Sequence, residues 1–444
     1  MIQLQKGDKK LLNAWAFYDW ANSVYTLTIS SAVFPIFYDA LFIDKGRYIS
    51  FLGFNVKNSA LISFVTATAF IIVSFLSPLL SGIADYVGNK KLFMKFFCYM
   101  GALSCVGLYW FDLDHIYISL MFYLLGLVGF WGSLVFYNSY LPDIAFEEQQ
   151  DAISAKGYSL GYLGSVLLLI INLAMVMKPE WFNITDTNGQ FSAMKAMRYS
   201  FVMVGVWWIV FSQYTYYFLP KGNNNSNQKV TKAIVFNGFK ELKKVWFLLE
   251  ENERLKSYLK SFFVYSMAVQ TVMLVATYFG SQEIEWESKD QGTIGLIVCI
   301  LLIQVLAILG AYTTSIASEI YGNVKTLMFI NSIWFFLCIG AYFITLPIHF
   351  YTMAALVGLV MGGIQSLSRS TYSKFLPQTN DTASFFSFYD VAEKIGIVIG
   401  MLVYGIIDQI TGSPRLAIVF LAVFFMIGVL LLRNVPKKIV RKIK

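Results

Sequence analysis

The sequence predicts an all-α membrane protein whose twelve transmembrane helices form two six-helix pseudo-repeat halves. Three observations lead there. Hydrophobic residues make up 57% of the 444 and charged residues 14%, against roughly 25% charged in ordinary soluble domains. Twelve apolar segments follow one another at 15–42, 59–83, 92–110, 116–141, 157–177, 199–219, 258–280, 293–316, 326–346, 350–373, 386–408 and 416–433, each at least the roughly 17 residues that a bilayer span needs. The chain also repeats itself. Asp85-Tyr86-Val87-Gly88-Asn89-Lys90-Lys91 returns as Glu319-Ile320-Tyr321-Gly322-Asn323-Val324-Lys325 at an offset of 234, and Tyr137, Leu141 and Pro142 return as Tyr372, Leu376 and Pro377 at 235. Parallel six-helix repeats with a solute site between them are one way secondary transporters are built.

Charge orients the segments. Of 34 Lys and Arg, 25 fall on the termini and even-numbered loops, eight on the opposite face, and Lys394 within a span. The basic face, with both termini and the longest loop, is therefore expected in the cytoplasm and the protein in the cell (inner) membrane. Anionic lipid headgroups account for the net charge of +8 without nucleic acid. The four cysteines lie in or beside apolar stretches without metal-ligand spacing, so no metal, disulfide or cofactor is expected. No phosphate-binding loop of the Walker type is present, so ATP is not the expected energy source. Gly157-Tyr158-Ser159-Leu160-Gly161 fits the hydrolase nucleophile pattern, but it opens a membrane helix while His115 and His349 fall on the opposite face. Close helix packing explains these glycines, and no enzyme is expected.

The organisation follows: an N-terminal half over 1–219, a cytoplasmic linker over 220–257 and a C-terminal half over 258–444. The linker opens with the polar tract Asn223 to Asn227. Phe239, Leu242, Trp246 and Leu249 then recur at helical spacing with Lys240, Lys243 and Lys244 between them, a pattern for an amphipathic helix on the membrane surface, with a partner-binding helix as the alternative.

The first apolar segment holds the first candidate site. At ~100° per residue Asp19, Ser23, Thr26 and Ser30 share one stripe with Asn22 beside it. Either Asp19 is an interfacial acid near the start of a helix, or the stripe continues a wet path inward and Asp19 carries protons. In the tenth segment Gln365 and Arg369 share a face. The guanidinium could hold a substrate carboxylate, pair between helices, or snorkel from the helix end. The eleventh segment places Asp390, Glu393 and Lys394 within about one turn. Asp390 and Lys394 can pair, which leaves Glu393 as a proton carrier or a solvated helix end. In the seventh, Ser266, Gln270 and Thr277 share a face that could read a polar solute or join helices. The expected partners are a small-molecule substrate, protons and membrane lipids, for a chain acting as a monomer.

Gly82-Ile83-Ala84-Asp85-Tyr86-Val87-Gly88-Asn89-Lys90-Lys91 resembles the loop signature of the major facilitator superfamily. That resemblance implies a conformational latch formed by Gly82, Asp85, Gly88, Lys90 and Lys91, with a weaker copy at Glu319, Gly322 and Lys325. Trp15 to Ser23, Tyr137-Asn138-Ser139-Tyr140-Leu141-Pro142-Asp143, Gly157 to Gly164 and Gly362 to Ser370 narrow the match. They resemble the vacuole-effluxer-like branch of that superfamily, whose fungal members export amino acids, and they add Asn138 to the candidates. The implied function is secondary active transport by alternating access, proton-coupled, of a small polar or amphipathic solute. A sugar or other metabolite carrier, or a non-transporting sensor of the same fold, is the alternative. One departure stands out. The family pattern has an acidic residue and a glycine before Gln-Thr in the seventh segment, where this chain has Met267-Ala268 before Val269, Gln270 and Thr271.

Overall fold

A computed structural model describes residues 4–42, 46, 48–221 and 234–437, apart from the side chains of 234–239, 289 and 290. The Asn223 to Asn227 tract lies outside the described residues. The N-terminal half contains α1 (Lys9–Asn22), α2 (Val33–Ala40), α3 (Asn58–Val87), α4 (Lys90–Gly107), α5 (Ile116–Ser139), the short α6 (Leu141–Ile144), α7 (Gln150–Met177) and α8 (Ala193–Phe218). The linker helix is α9 (Ile234–Glu251). The C-terminal half contains α10 (Glu253–Glu283), α11 (Lys289–Tyr321), α12 (Asn323–Gly340), α13 (Pro347–Phe375), α14 (Thr382–Thr411) and α15 (Pro414–Arg433).

Ten helices among the described residues are long and apolar enough to cross a membrane. The other two crossings have visible reasons for reading differently. α14 carries Asp390, Glu393, Lys394 and Asp408. The first crossing changes helix type midway: α1 passes into a π-helical stretch over Thr26–Ala32 and then into α2. Twelve crossings in two sets of six result.

The helix ends follow local chemistry. Asp8 accepts from the Lys10 amide and starts α1 well before the apolar run begins. Gly88 ends α3 with φ 68°, in the left-handed region that glycine enters without strain, and Asn89 caps the next helix by accepting from the Leu92 amide. This stop-and-start pair keeps the turn of the repeated motif to two residues. Between α2 and α3 a two-stranded hairpin, β1 (Tyr48–Phe51) and β2 (Phe54–Lys57), turns through Leu52 and Gly53, both at positive φ.

The apolar core divides as the sequence does. One buried cluster runs from Leu11 to Leu219 and takes only Ala383 from beyond the linker. The second runs from Val245 to Val435 and takes only Tyr162 from before it. The linker helix packs below α3 and α14. It buries Val245 and Leu249, and Lys244 reaches Asp381 at 2.7 Å. Of the expected apolar face, Leu249 is buried and Leu242 half-buried, whereas Trp246 is 48% exposed and Val245 takes its place in the buried stripe.

Candidate functional site

Among the described residues, four clusters of polar side chains join the halves. In the first, α1 carries Asp19 and α13 carries Arg369, and both side chains are buried. Arg369 Nη1 and Nη2 each donate to Asp19 Oδ2 at 3.1 Å, and the Tyr137 hydroxyl donates to the same oxygen at 2.8 Å. Arg369 Nε donates to Ser154 Oγ and Nη2 to the Ser154 carbonyl, both at 2.9 Å, while Nη1 reaches Asn138 Oδ1 at 3.3 Å. The guanidinium carbon lies 4.2 Å from the Tyr158 ring centre and 4.8 Å from that of Trp15. A buried cation is tolerated only where its charge and donors are met, and five donor contacts plus aromatic faces meet them here. Gly157 makes this possible: a Cβ there would run into Asp19 Oδ2 and stand 3.0 Å from Arg369 Nη2.

The second junction lies midway along the helices. Lys394 Nζ donates to Asp390 Oδ1 and Glu393 Oε2, both at 2.8 Å. Gln270 Nε2 donates to Glu393 Oε1 at 2.9 Å, and Ser77 reaches across from α3 to Asp390 Oδ2 at 3.3 Å. The ammonium sits 3.5 Å from the centre of the Trp131 ring on α5. Two carboxylates and one ammonium leave one formal negative charge.

The third and fourth junctions flank the repeated motifs and use different atoms. Asp85 accepts from the Ser384 amide at 2.7 Å and the Ala383 amide at 3.3 Å, so a carboxylate of the N-terminal half meets the unpaired N–H groups that open α14. Lys90 bridges Asp143, at 2.5 Å, and Thr382. At the second motif Asp151 of α7, again a carboxylate of the N-terminal half, accepts from Lys374 at 2.6 Å and from Ser318 and Asn323 at 2.8 Å. All four junctions sit at, or midway from, the basic end of the bundle. At the far end the described polar contacts stay within one half, as in Asn58 with Asp39 and Arg415 with Glu283.

Comparison with known proteins agrees with this geometry. Residues 7–442 match the family described as "Vacuole effluxer Atg22 like". A Bacillus subtilis protein named "Uncharacterized MFS-type transporter YxiO" is 30% identical over 98% of this chain and 97% of its own length. The chain belongs to the vacuole effluxer Atg22-like family. Autophagy-related protein 22-1 of Penicillium rubens is 25% identical over 62% of this chain, and the matched segment spans 47% of that longer protein. Two solved structures share the fold at low identity. One is the E. coli fucose:proton symporter FucP (TM-score 0.68, 14% identity, 96% and 98% of the two chains covered). The other is the proton:xylose symporter XylE (TM-score 0.68, 12%, 96% and 95%). This member of the family is therefore a multi-pass membrane transporter of the major facilitator superfamily, not an enzyme.

Within this effluxer-like chain the expected residues divide. Asp19, Asn138 and Arg369 come together in the first junction, and Gln270, Asp390, Glu393 and Lys394 in the second. Gln365 accepts from the Tyr162 hydroxyl at 2.6 Å, again between halves. The polar stripe of the first segment does not continue as a straight α-helical line, because the π-helical stretch changes the angle per residue. Asn22 is buried, Ser23 donates to it at 3.3 Å, and Thr26 bonds back to the Ser23 carbonyl. Beyond them Ser30 is exposed, while Thr28 turns inward to Asn172. Asp19 is also deeper than the apolar pattern places it. It lies ten residues into a helix that begins at Lys9, or about 15 Å along the axis. In the latch, Gly82 is buried, Gly88 makes the turn, and Lys91 donates to the Leu219 carbonyl within its own half. Glu319, Gly322 and Lys325 are exposed. The second motif reaches across through Ser318 and Asn323 instead, because Asp151 approaches from that side. Sequence reasoning missed Tyr137, Ser154, Tyr158, Asp151 and Lys374 as site residues. Asp151, Ser154, Tyr158 and Ser165 do recur at helical spacing, but Asp151 and Ser154 precede the apolar run that marked that span.

Proposed function

We propose that this transporter exports a small polar or amphipathic solute in exchange for protons, working by alternating access between a state closed at the basic, cytoplasmic face and one opened there. The observation that carries the reading is the one-sided distribution of the polar junctions. The buried Asp19–Arg369 pair and the Asp85 and Asp151 contacts all join the halves at one end, so opening that end means parting them. Glu393 suits a proton carrier. Its carboxylate is held by neutral Gln270 on one oxygen and by a lysine shared with Asp390 on the other, so protonation leaves a neutral triad. A proton crossing ~100 mV releases about 2.3 kcal/mol, enough for roughly 50-fold accumulation or export. A charged centre of this kind favours a zwitterion over a sugar, and an amino acid is the substrate class that the family resemblance implies. The halves at 1–219 and 258–444 are the moving bodies, with 220–257 as the tether between them.

The test is flux. Purified protein in proteoliposomes, loaded with a mixture of amino acids, should release at least one of them faster under an inward proton gradient. Glu393→Gln should keep counterflow and lose gradient-driven export. Loss of both would mark Glu393 as a binding or folding residue, and ligand binding with no flux in the native protein would make the chain a sensor. Orientation is tested separately in a background without native cysteines. Single cysteines at Asn224 and Ser288 should react oppositely with an impermeant thiol reagent, and labelling of Asn224 from outside intact cells would reverse the assignment of cytoplasmic termini.

A further inference from the structure

At the basic end of the N-terminal half stands a group of lysines to which the transport reading gives no task. α4 and α8 pack side by side, and the start of one helix meets the end of the other. Lys91 and Lys95 are the second and sixth residues of α4, one turn apart on one face. Lys221 stands two residues beyond Leu219, which closes α8. The Lys91 side chain is buried and its ammonium donates to the Leu219 carbonyl at 2.7 Å. Lys95 lies over the Tyr216 ring, 5.1 Å from its centre, and Lys221 is exposed. The neighbouring charges that act most strongly on Lys91 are those of Lys95 and Lys221.

No ion pair among the described residues includes any of the three. Lys90, next in the chain, does have its carboxylate, Asp143. Three like charges held together, one of them buried, oppose one another until an anion joins them. The C-terminus of α8 offers Lys91 a partial negative charge and one acceptor. Two hydrogens of that ammonium and the charges of Lys95 and Lys221 stay unmatched.

The adjoining surface says what kind of anion fits. Leu92 and Phe96 on α4 and Tyr217 on α8 are exposed, and so, farther along the same two helices, are Leu103, Val206 and Val210. On membrane-spanning helices these side chains face hydrocarbon. The lysines stand where both spans leave the apolar layer, which is the depth of lipid headgroups. An occupant charged at one end and apolar along its length meets both surfaces, whereas a free anion meets only the lysines.

We propose that Lys91, Lys95 and Lys221 bind the headgroup phosphate of one anionic phospholipid, whose chains lie along Leu92, Phe96 and the adjoining faces of α4 and α8. Basic pockets between spans are where such headgroups are recognised. The site depends neither on the direction of transport nor on proton coupling.

Native mass spectrometry of the full-length protein in a neutral detergent counts bound lipids. The probes are phosphatidylglycerol, phosphatidylcholine with the same chains, and inorganic phosphate. One phosphatidylglycerol should bind saturably, and phosphatidylcholine should bind about tenfold more weakly. Lys95→Gln/Lys221→Gln, which leaves the Lys91 bond to α8 in place, should weaken phosphatidylglycerol binding by about tenfold or more, the scale of two charges at an anionic surface. Lys95→Arg/Lys221→Arg should retain it. Lys240 and Lys243, exposed on α9, serve as the control for general attraction, and Lys240→Gln/Lys243→Gln should change little. Should Lys95→Gln/Lys221→Gln lower the unfolding temperature, Lys221→Gln alone gives the same comparison against Lys240→Gln. Equal losses in the two glutamine pairs, or equal binding of the two lipids, would show only the general pull of a basic face and overturn the proposal. Release of phosphatidylglycerol by millimolar inorganic phosphate would make the occupant a free anion and overturn it as well.

Discussion

In the N-terminal half, Phe34 stacks on Tyr123 at 4.7 Å and meets Phe111 edge-on at 5.5 Å, while Phe37 meets Phe201 at 5.1 Å. The C-terminal half instead holds an apolar cavity lined by Val272, Ile303, Trp334, Leu337 and Ala354. The repeat offset of 235 sets Tyr123 opposite Gly358, and the offset of 234 sets Ser104 opposite Cys338. A Cβ at Gly358 would stand 2.6 Å from the Ile303 carbonyl oxygen, and one at Gly362 would strike the carbonyl of Ala307. α13 therefore lies almost backbone to backbone on α11. In the other half the Tyr123 ring separates the equivalent helices, α5 and α3, and its hydroxyl meets Thr66 at 3.2 Å. The repeat preserves the path of the helices but not the way their interiors are filled. One half has an aromatic knot, and the other trades it for close helix contact and an open space.

Four experiments sharpen or break that contrast. The largest effect is expected from Gly358→Leu, whose side chain must enter the α11–α13 contact. A loss above about 4 kcal/mol belongs to overpacking of this kind, and it would appear as aggregation on size-exclusion chromatography. A monodisperse variant with an unchanged unfolding temperature would show that the two helices are not held by backbone contact.

Next come paired truncations. Phe34→Ala should cost about 3–5 kcal/mol, as large aromatic-to-alanine changes in packed cores do, whereas Met353→Ala beside the existing cavity should cost about 2, near the low end for its type. Equal shifts in thermal unfolding would mean the halves are equally packed.

The third concerns the junction of the halves. Asp19→Asn strands the Arg369 guanidinium and should cost about 3 kcal/mol, with much of that recovered in Asp19→Asn/Arg369→Gln, since an unpaired buried charge costs more than a missing pair. A double variant no more stable than the single one would remove the pair from the account of how the halves close.

The smallest effect separates the two copies of the repeated motif. Asp85→Asn should lose about 1 kcal/mol of capping at α14 and slow counterflow more than it lowers expression. Glu319→Gln should leave both unchanged, because the second motif acts through Asn323. Normal counterflow in Asp85→Asn would make the first motif a structural turn.

How much of the site was legible depended on whether its residues belong to a local pattern. Asp390 and Lys394 are four apart on one helix, so their pairing could be read from spacing. The repeated motif was legible because a glycine that ends one helix and an asparagine that caps the next leave a fixed signature. Asp19 and Arg369 could each be singled out, since a charge in an apolar run needs a partner, yet nothing within 350 residues of chain says that they are each other's partner. Asp151 escaped notice because it stands just before an apolar run, where acids are ordinary.

The sequence by itself determined twelve crossings, their division into two related halves and the basic face, because transfer into a bilayer acts on each segment alone and charge asymmetry sums along the chain. Only the tertiary structure decided that Asn323 rather than Glu319 joins the second motif to Asp151, that the linker helix buries Val245 rather than Trp246, and that one half closes on aromatic rings while the other encloses a cavity. Those outcomes depend on which surfaces meet across hundreds of residues, and packing energies depend on shape at the point of contact, which periodicity along a single helix does not contain.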